Sequence, residues 1–206
     1  MSSSTPRPRA STEEIAARFE PSAEATALLT PGIGASDFVA ALVEKELWAD
    51  AAGFVGQWLA KRDAVTWACL ASRKALGETP PPKERAALEA AEKWLAAPDE
   101  PSRRACEAAA EALGYRSAPA MAAAAAFWSG GSLSLPDLPK AAPPENLTGK
   151  GAAGSVLMAG AAGAPDVAGR LRELIWLGVD IADGRHRPEG REARSSAPTA
   201  RGAREG

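Results

Sequence analysis

DAVTWACLASRKALG, residues 63–77, sets a tryptophan two positions before a cysteine in a run whose apolar period is helical rather than alternating. Val65, Ala68, Cys69, Ser72 and Leu76 share one face of a helix, and Trp67, Leu70, Ala71 and Ala75 share the adjoining face. Little surface is left polar, so the stretch predicts a central helix buried on most sides. Its ends agree with that reading. Asp63 can cap the start, Arg73 and Lys74 complement the dipole in the last turn, and Gly77 offers a left-handed stop. A cysteine in such aliphatic surroundings acts as a small hydrophobe with a raised thiol pKa, so packing rather than reactivity is expected of Cys69.

Outward from this helix the same grammar continues. Upstream, LWADAAGFVGQWLAKR (47–62) places Trp48, Ala51, Ala52, Val55 and Leu59 on one buried helical face. Ser11 with Glu14 reads as a capping box opening a short helix, STEEIAARFE. Downstream, residues 80–114 give two helices broken at Pro98, with Asp99 as the second cap and Gly114 as its stop. Ser117 opens a helix that runs to Trp128, and residues 129–149, rich in Gly, Pro and Ser, read as a long ordered loop or internal linker. GSVLMAGAAGA (154–164) is a small-residue helical segment, and Asp166 caps a last helix with Leu171, Leu174, Ile175, Gly178 and Ala182 on its buried face.

An echo runs through this text. Trp58, Leu59, Ala60 and Asp63 match Trp94, Leu95, Ala96 and Asp99 at a separation of 36, and Ala68, Cys69, Ala71, Ala75, Leu76 and Gly77 match Ala105, Cys106, Ala108, Ala112, Leu113 and Gly114 at 37. The spacing suits a helical hairpin of a repeat protein, while reuse of cap, anchor and stop residues in alanine-rich text explains it equally. The expected fold class is therefore all-α, an antiparallel helical bundle or a short helical-hairpin repeat array with disordered termini. Expected boundaries are a disordered lead over 1–10, short helices or linker over 11–35, a helical domain over 36–184, and a disordered Arg-rich tail over 185–206.

Composition narrows the function classes. The 206-residue chain has eleven aromatic residues, six of them tryptophan, so a core of close-packed alanine with a few large anchors is expected. Net charge is -2, but its distribution is uneven. Residues 184–206 hold six arginines against three glutamates, a net +3, and Arg7 and Arg9 add +2, leaving the body at -7. Electrostatic binding of nucleic acid over the whole surface is not expected. The opening MSSSTPRPRASTEE is polar where a secretory signal is apolar, and the longest apolar run, 118–128, is too short for a bilayer. A reducing cytoplasm and no membrane insertion are the expectations, and two cysteines in helical text do not make a disulfide scaffold.

Candidate chemistry is sparse. TGKG, 148–151, lacks the glycine five residues before its Gly-Lys pair and the hydroxyl residue after it, so it is not a phosphate loop. Cys69 and Cys106 with the lone His186 supply no metal ligand set, and Glu44 with Glu46 or Glu107 with Glu111 have the spacing of any solvated helix face. No cofactor, metal or catalytic residue is assigned. Trp48, Trp58, Trp67, Trp94 and Trp176 are expected to pack in the core, whereas Trp128 ends its helix against the glycine loop.

WLAKRDAVTWACLASRKALG, with WLA before a charged pair and then the W-A-C-L run, resembles an uncharacterised bacterial family known only as a domain of unknown function. Its members sit in gene neighbourhoods that include contractile secretion systems of the type VI kind. The resemblance spans roughly residues 36–184 and takes in LGVDIADG near its end. It implies an accessory or adaptor protein near a secretion apparatus and brings no catalytic residues.

The leading expectation of function is a non-enzymatic helical adaptor that binds another protein. An enzyme with a site assembled from scattered residues, or an acidic body that covers a basic toxin, are the alternatives. The contact site is placed at Trp128, Leu133, Leu135 and Leu138. Ser132 and Ser134 alternate with the first two leucines, as in an extended strip that could add to a sheet edge, although leucines in a long loop also fold back to plug a gap between helices.

Overall fold

Helices form where capping and periodicity meet, and the computed structural model describes them over residues 10–135, 137–163 and 165–186. Their order is α1 Thr12–Ala16, α2 Ala23–Leu28, α3 Ala35–Glu44, α4 Trp48–Trp58, α5 Lys61–Leu76, α6 Pro82–Ala96, α7 Glu100–Glu111, α8 Ala118–Phe127, α9 Leu147–Ala161 and α10 Val167–Ala182. No strand occurs among the described residues, and the fold is all-α. Among them no helix is long and apolar enough to cross a membrane. The expected disordered ends lie outside the described residues, apart from Ala10, Arg185 and His186.

The caps read from the sequence are largely in place. The Ser11–Glu14 capping box is complete, the Asp99 side chain accepts from the Ser102 N–H, and Asp166 accepts from Gly169. Gly77 and Gly114 stop their helices at positive φ, +65° and +56°. Asp63 is a correction: α5 begins at Lys61 after Ala60, so Asp63 complements the dipole from inside the first turn instead of capping it. Residues 11–35 are two short helices pinned to the body. The Ser22 N–H and hydroxyl donate to the buried Asp50 carboxylate at 2.7 and 2.9 Å, and Thr12 donates to the Ile33 carbonyl at 2.6 Å.

The centre is made of α8 and α9. Every residue of α8 except Met121 is buried, with α5, α6, α7 and α9 packed around it. Its alanines expose no preferred face, as expected of a helix enclosed on all sides. Helix α9 lies against α4, α5, α8 and α10, and its glycines set how closely they approach. A Cβ on Gly149 would lie 2.5 Å from the Gly56 carbonyl oxygen and 2.6 Å from Gln57 Nε2, so α4 and α9 meet backbone to backbone. This corrects the expected extent of the loop: the chain is helical from Leu147, and TGKG forms the first turns of α9, where its glycines admit a neighbouring helix.

Large anchors fill the remaining space. Trp67 is inaccessible, and its indole N–H donates to the Leu174 carbonyl at 2.7 Å, tying α5 to α10. Gly178 makes room for that indole, since a Cβ there would stand 2.8 Å from the ring. Trp94 is also buried, while Trp48, Trp58 and Trp176 are half-buried against the core. A polar junction joins three central helices: Ser72 and Ser155 hydroxyls pair at 3.0 Å, and Ser155 donates to the Ala118 carbonyl at 2.8 Å.

The two halves of the 36/37-residue echo pack differently. Helices α6 and α7 lie side by side as a hairpin joined by three residues, 97–99, whereas α4 and α5, joined by two residues, 59–60, each pack on α9 and make little contact with each other. Trp67 has Arg104 as its counterpart at a separation of 37, so the echo does not extend to the side chain that anchors α5. The architecture is a bundle around α8 and α9.

Candidate partner-binding loop

Helix α7 carries Glu100, Arg103, Arg104 and Glu107 at helical spacing on one flank, next to where α8 ends. Arg103 is 4% exposed. Its Nε and Nη2 donate to the two Glu100 oxygens, both at 2.6 Å, its Nη1 donates to the Phe127 carbonyl at 2.7 Å, and its guanidinium lies 4.7 Å from the Phe127 ring centroid. Arg104 bridges Glu100 and Glu107 at 3.0 and 2.8 Å. Hydrogen bonds from Arg103 hold the Glu100 carboxyl well below its ordinary range, at about 2.

The free ends of the two guanidinium groups hold the loop after α8. The Ser132 carbonyl accepts from Arg103 at 3.0 Å and Arg104 at 2.9 Å, and the Ser134 carbonyl accepts from Arg104 at 2.6 Å. On the loop's other edge the Leu133 N–H donates to Ala141 at 2.8 Å, and the Ser132 hydroxyl accepts from the Ser134 and Ala141 N–H groups, both at 3.1 Å. Gly131 has φ +66°, and a Cβ there would stand 2.7 Å from the Arg103 guanidinium, so both its backbone and its position require glycine. The loop is thus bound along both edges.

The four expected contact residues separate. Trp128 is half-buried: its ring stacks on Tyr115 with centroids 6.0 Å apart and planes 9° apart, its carbonyl accepts from Thr148, and Gly151 leaves space for its other flank. Leu133 is half-buried and packs against the core. Leu135 and Leu138 point outward at 65% and 56% exposure, and the Leu138 N–H donates to the Leu135 carbonyl at 3.0 Å. That bond closes a turn with one exposed leucine at each end. One edge of the strip read over residues 132–135 is taken, since the carbonyls of Ser132 and Ser134, which strand addition would use, accept from Arg104, and the turn follows beyond it.

Sequence reasoning missed Arg103 and Arg104. Their partners Phe127, Ser132 and Ser134 lie 24 to 30 residues away, and an Arg-Arg pair in an alanine-rich helix has the spelling of an ordinary solvated face. The one available signal was a doubled arginine in a helix preceding a loop rich in backbone acceptors.

Nucleophile chemistry finds little here. Cys69 and Cys106 are buried and unpaired by disulfide, and burial pushes the Cys69 thiol far up and that of Cys106 to about 12. Among the described residues no group of three or more His, Cys, Asp or Glu side chains could hold a metal ion.

Neither a curated protein nor a solved structure matches the chain. A family of unknown function (DUF6931) matches residues 38–182. That span takes in α4 to α10, the arginine pair and the whole loop, and the chain belongs to this family.

Proposed function

We propose that the protein is a non-enzymatic helical adaptor that binds another protein through the Leu135–Leu138 turn. One observation carries the reading: two arginines, one of them buried, fix the backbone of a surface loop that presents the two most exposed large aliphatic side chains among the described residues. A loop fixed before binding loses little conformational freedom when a partner arrives, so even a small apolar contact yields useful affinity. The partner surface is a shallow apolar pocket wide enough for two leucines. A cytoplasmic place rests on the polar opening and the two cysteines in helical text, and a place beside a bacterial secretion apparatus rests on the family resemblance alone.

The test separates binding from folding. Replacing Leu135 and Leu138 together with serine leaves the melting temperature nearly unchanged, because more than half of each residue stays in water on folding. Leu133→Ser removes a half-buried leucine worth about 1 kcal/mol and lowers it by roughly 2–4 °C. A photo-crosslinking residue at position 138 captures the partner in the native host, and the double serine variant loses it. A partner retained by L135S/L138S refutes the assigned surface. The acidic body favours one other reading, a cover for a basic toxin, which predicts that binding collapses in salt regardless of the leucines.

A further inference from the structure

An open groove of about 520 Å3 runs between the first turn of α1 and the Gly32–Asp37 entry to α3. Ile33, Ala35 and Trp58 line it as half-buried apolar surface, and Glu13, Asp37 and Asp183 are its charged lining residues, with none of the described lining residues basic. The backbone N–H groups of Glu13 and Gly32, with the Ser11 side chain, hold the Glu13 carboxyl below its ordinary value, so it remains ionised. Ala10 and Asp183 both belong to this lining. The two basic ends of the chain therefore meet the body at one place, Arg7 and Arg9 just before Ala10, and five arginines from Arg187 onward just after His186.

The described chain beyond α10 closes on that helix's own last turn, at the rim of the groove. The N–H groups of Arg185 and His186 both donate to the Asp180 carbonyl, at 2.8 and 3.1 Å, and the Arg185 guanidinium pairs with Asp180 at 2.8 Å and Asp183 at 2.7 Å. Asp183 thus lines the groove with its carboxylate already paired to Arg185, which leaves Glu13 and Asp37 as the lining carboxylates without a cation partner among the described residues.

We propose that the arginine-rich segment 187–206 docks in this groove. Arg187 follows Asp183 by four residues, and twenty residues reach up to about 66 Å when extended, so length does not limit the fit. Arginine suits the lining. Its aliphatic stem lies along Ile33 and Trp58, while its planar head meets a carboxylate at the rim or the indole face. Charge agrees as well: residues 11–183 carry -7, and segment 187–206, with five arginines and three glutamates, carries +2.

The experiment uses the full chain with a nitroxide on Ser196→Cys, the native thiols being buried, and reads amide intensities by NMR. Docking removes most of the signal from Gly32–Asp37 while the exposed Leu138–Ala142 loop keeps its own. The loss reverses at about 1 M salt, where the screening length falls to about 3 Å, and in R187Q/R191Q/R194Q, which leaves the described body untouched. Equal loss over the whole exposed surface overturns the proposal. So does loss at Gly32–Asp37 only from a nitroxide on Ser4→Cys, which gives the groove to the N-terminal lead. Loss transferred between labelled and unlabelled chains in a mixed sample overturns it too, by assigning the groove to a second copy.

Discussion

Arg103→Met removes the clamp while keeping a long side chain in its slot. The Phe127 carbonyl at the end of α8 then loses its buried donor, which costs about 1–3 kcal/mol. Loss of the guanidinium over the Phe127 ring adds about 0.5–1 kcal/mol. Glu100 is exposed enough for water to replace its lost bonds, and Ser132 keeps Arg104. The expected total is about 2–4 kcal/mol, which in a domain of this size lowers the melting temperature by about 5–10 °C. Thermal unfolding followed by circular dichroism measures it, and amide exchange at Leu133 reports whether the loop has come free.

The same variant carries a pH signature. Glu100 has a folded-state pKa of about 2 against an ordinary value of 4.5, so the arginine contact stabilises the fold in full above the ordinary value and is lost as pH falls towards the folded one. The gap in stability between wild type and R103M therefore narrows between about pH 5 and pH 2. Screening at the half-exposed carboxylate reduces its size but not its direction. A melting temperature unchanged by R103M, with Leu133 still protected from exchange, refutes the clamp.

Gly149→Ala forces a methyl group against the Gly56 carbonyl, so the protein loses about 1–3 kcal/mol, whereas Gly130→Ala, facing open space, changes little; comparison of denaturant midpoints checks both. Neither native thiol reacts with iodoacetamide in the folded state at the rate of a free cysteine at pH 8, because burial holds both protonated, and the rates become ordinary above the denaturant midpoint. Fast labelling of the folded protein, followed by mass spectrometry, refutes that packing.

Helices α4, α5 and α10 were legible because large apolar residues repeat on one face, with the Gly77 stop of α5 and the Asp166 cap of α10 marking one end of each of those two. The start of α9 was not. Leu147–Gly151 has poor intrinsic helix propensity, and it is helical because Gly149 lets α4 approach, a contact between residues 93 positions apart. Asp63 was misplaced by three residues for a related reason: Ala60 precedes the helix without a side-chain cap, and packing rather than local hydrogen bonding sets the boundary. In the candidate loop the sequence located the exposed leucines but not their geometry. Whether Leu133 faces inward depends on Arg104 taking the carbonyls on either side of it, and nothing local to Leu133 encodes that.

The alanine centre of α8 has a mechanical consequence. Ala122 to Ala126 are five consecutive inaccessible methyl groups, and alanine has no rotamers to lose on burial, so they order at no side-chain entropy cost. The same property removes any means of local adjustment. A leucine core absorbs a misfit by turning a side chain, but α8 has almost nothing to turn, and its closest neighbour α9 meets it with glycine, alanine and serine. A strain introduced at this centre is therefore passed on whole, as a rigid displacement of helix axes, to the flanking helices and to the loop that α8 feeds.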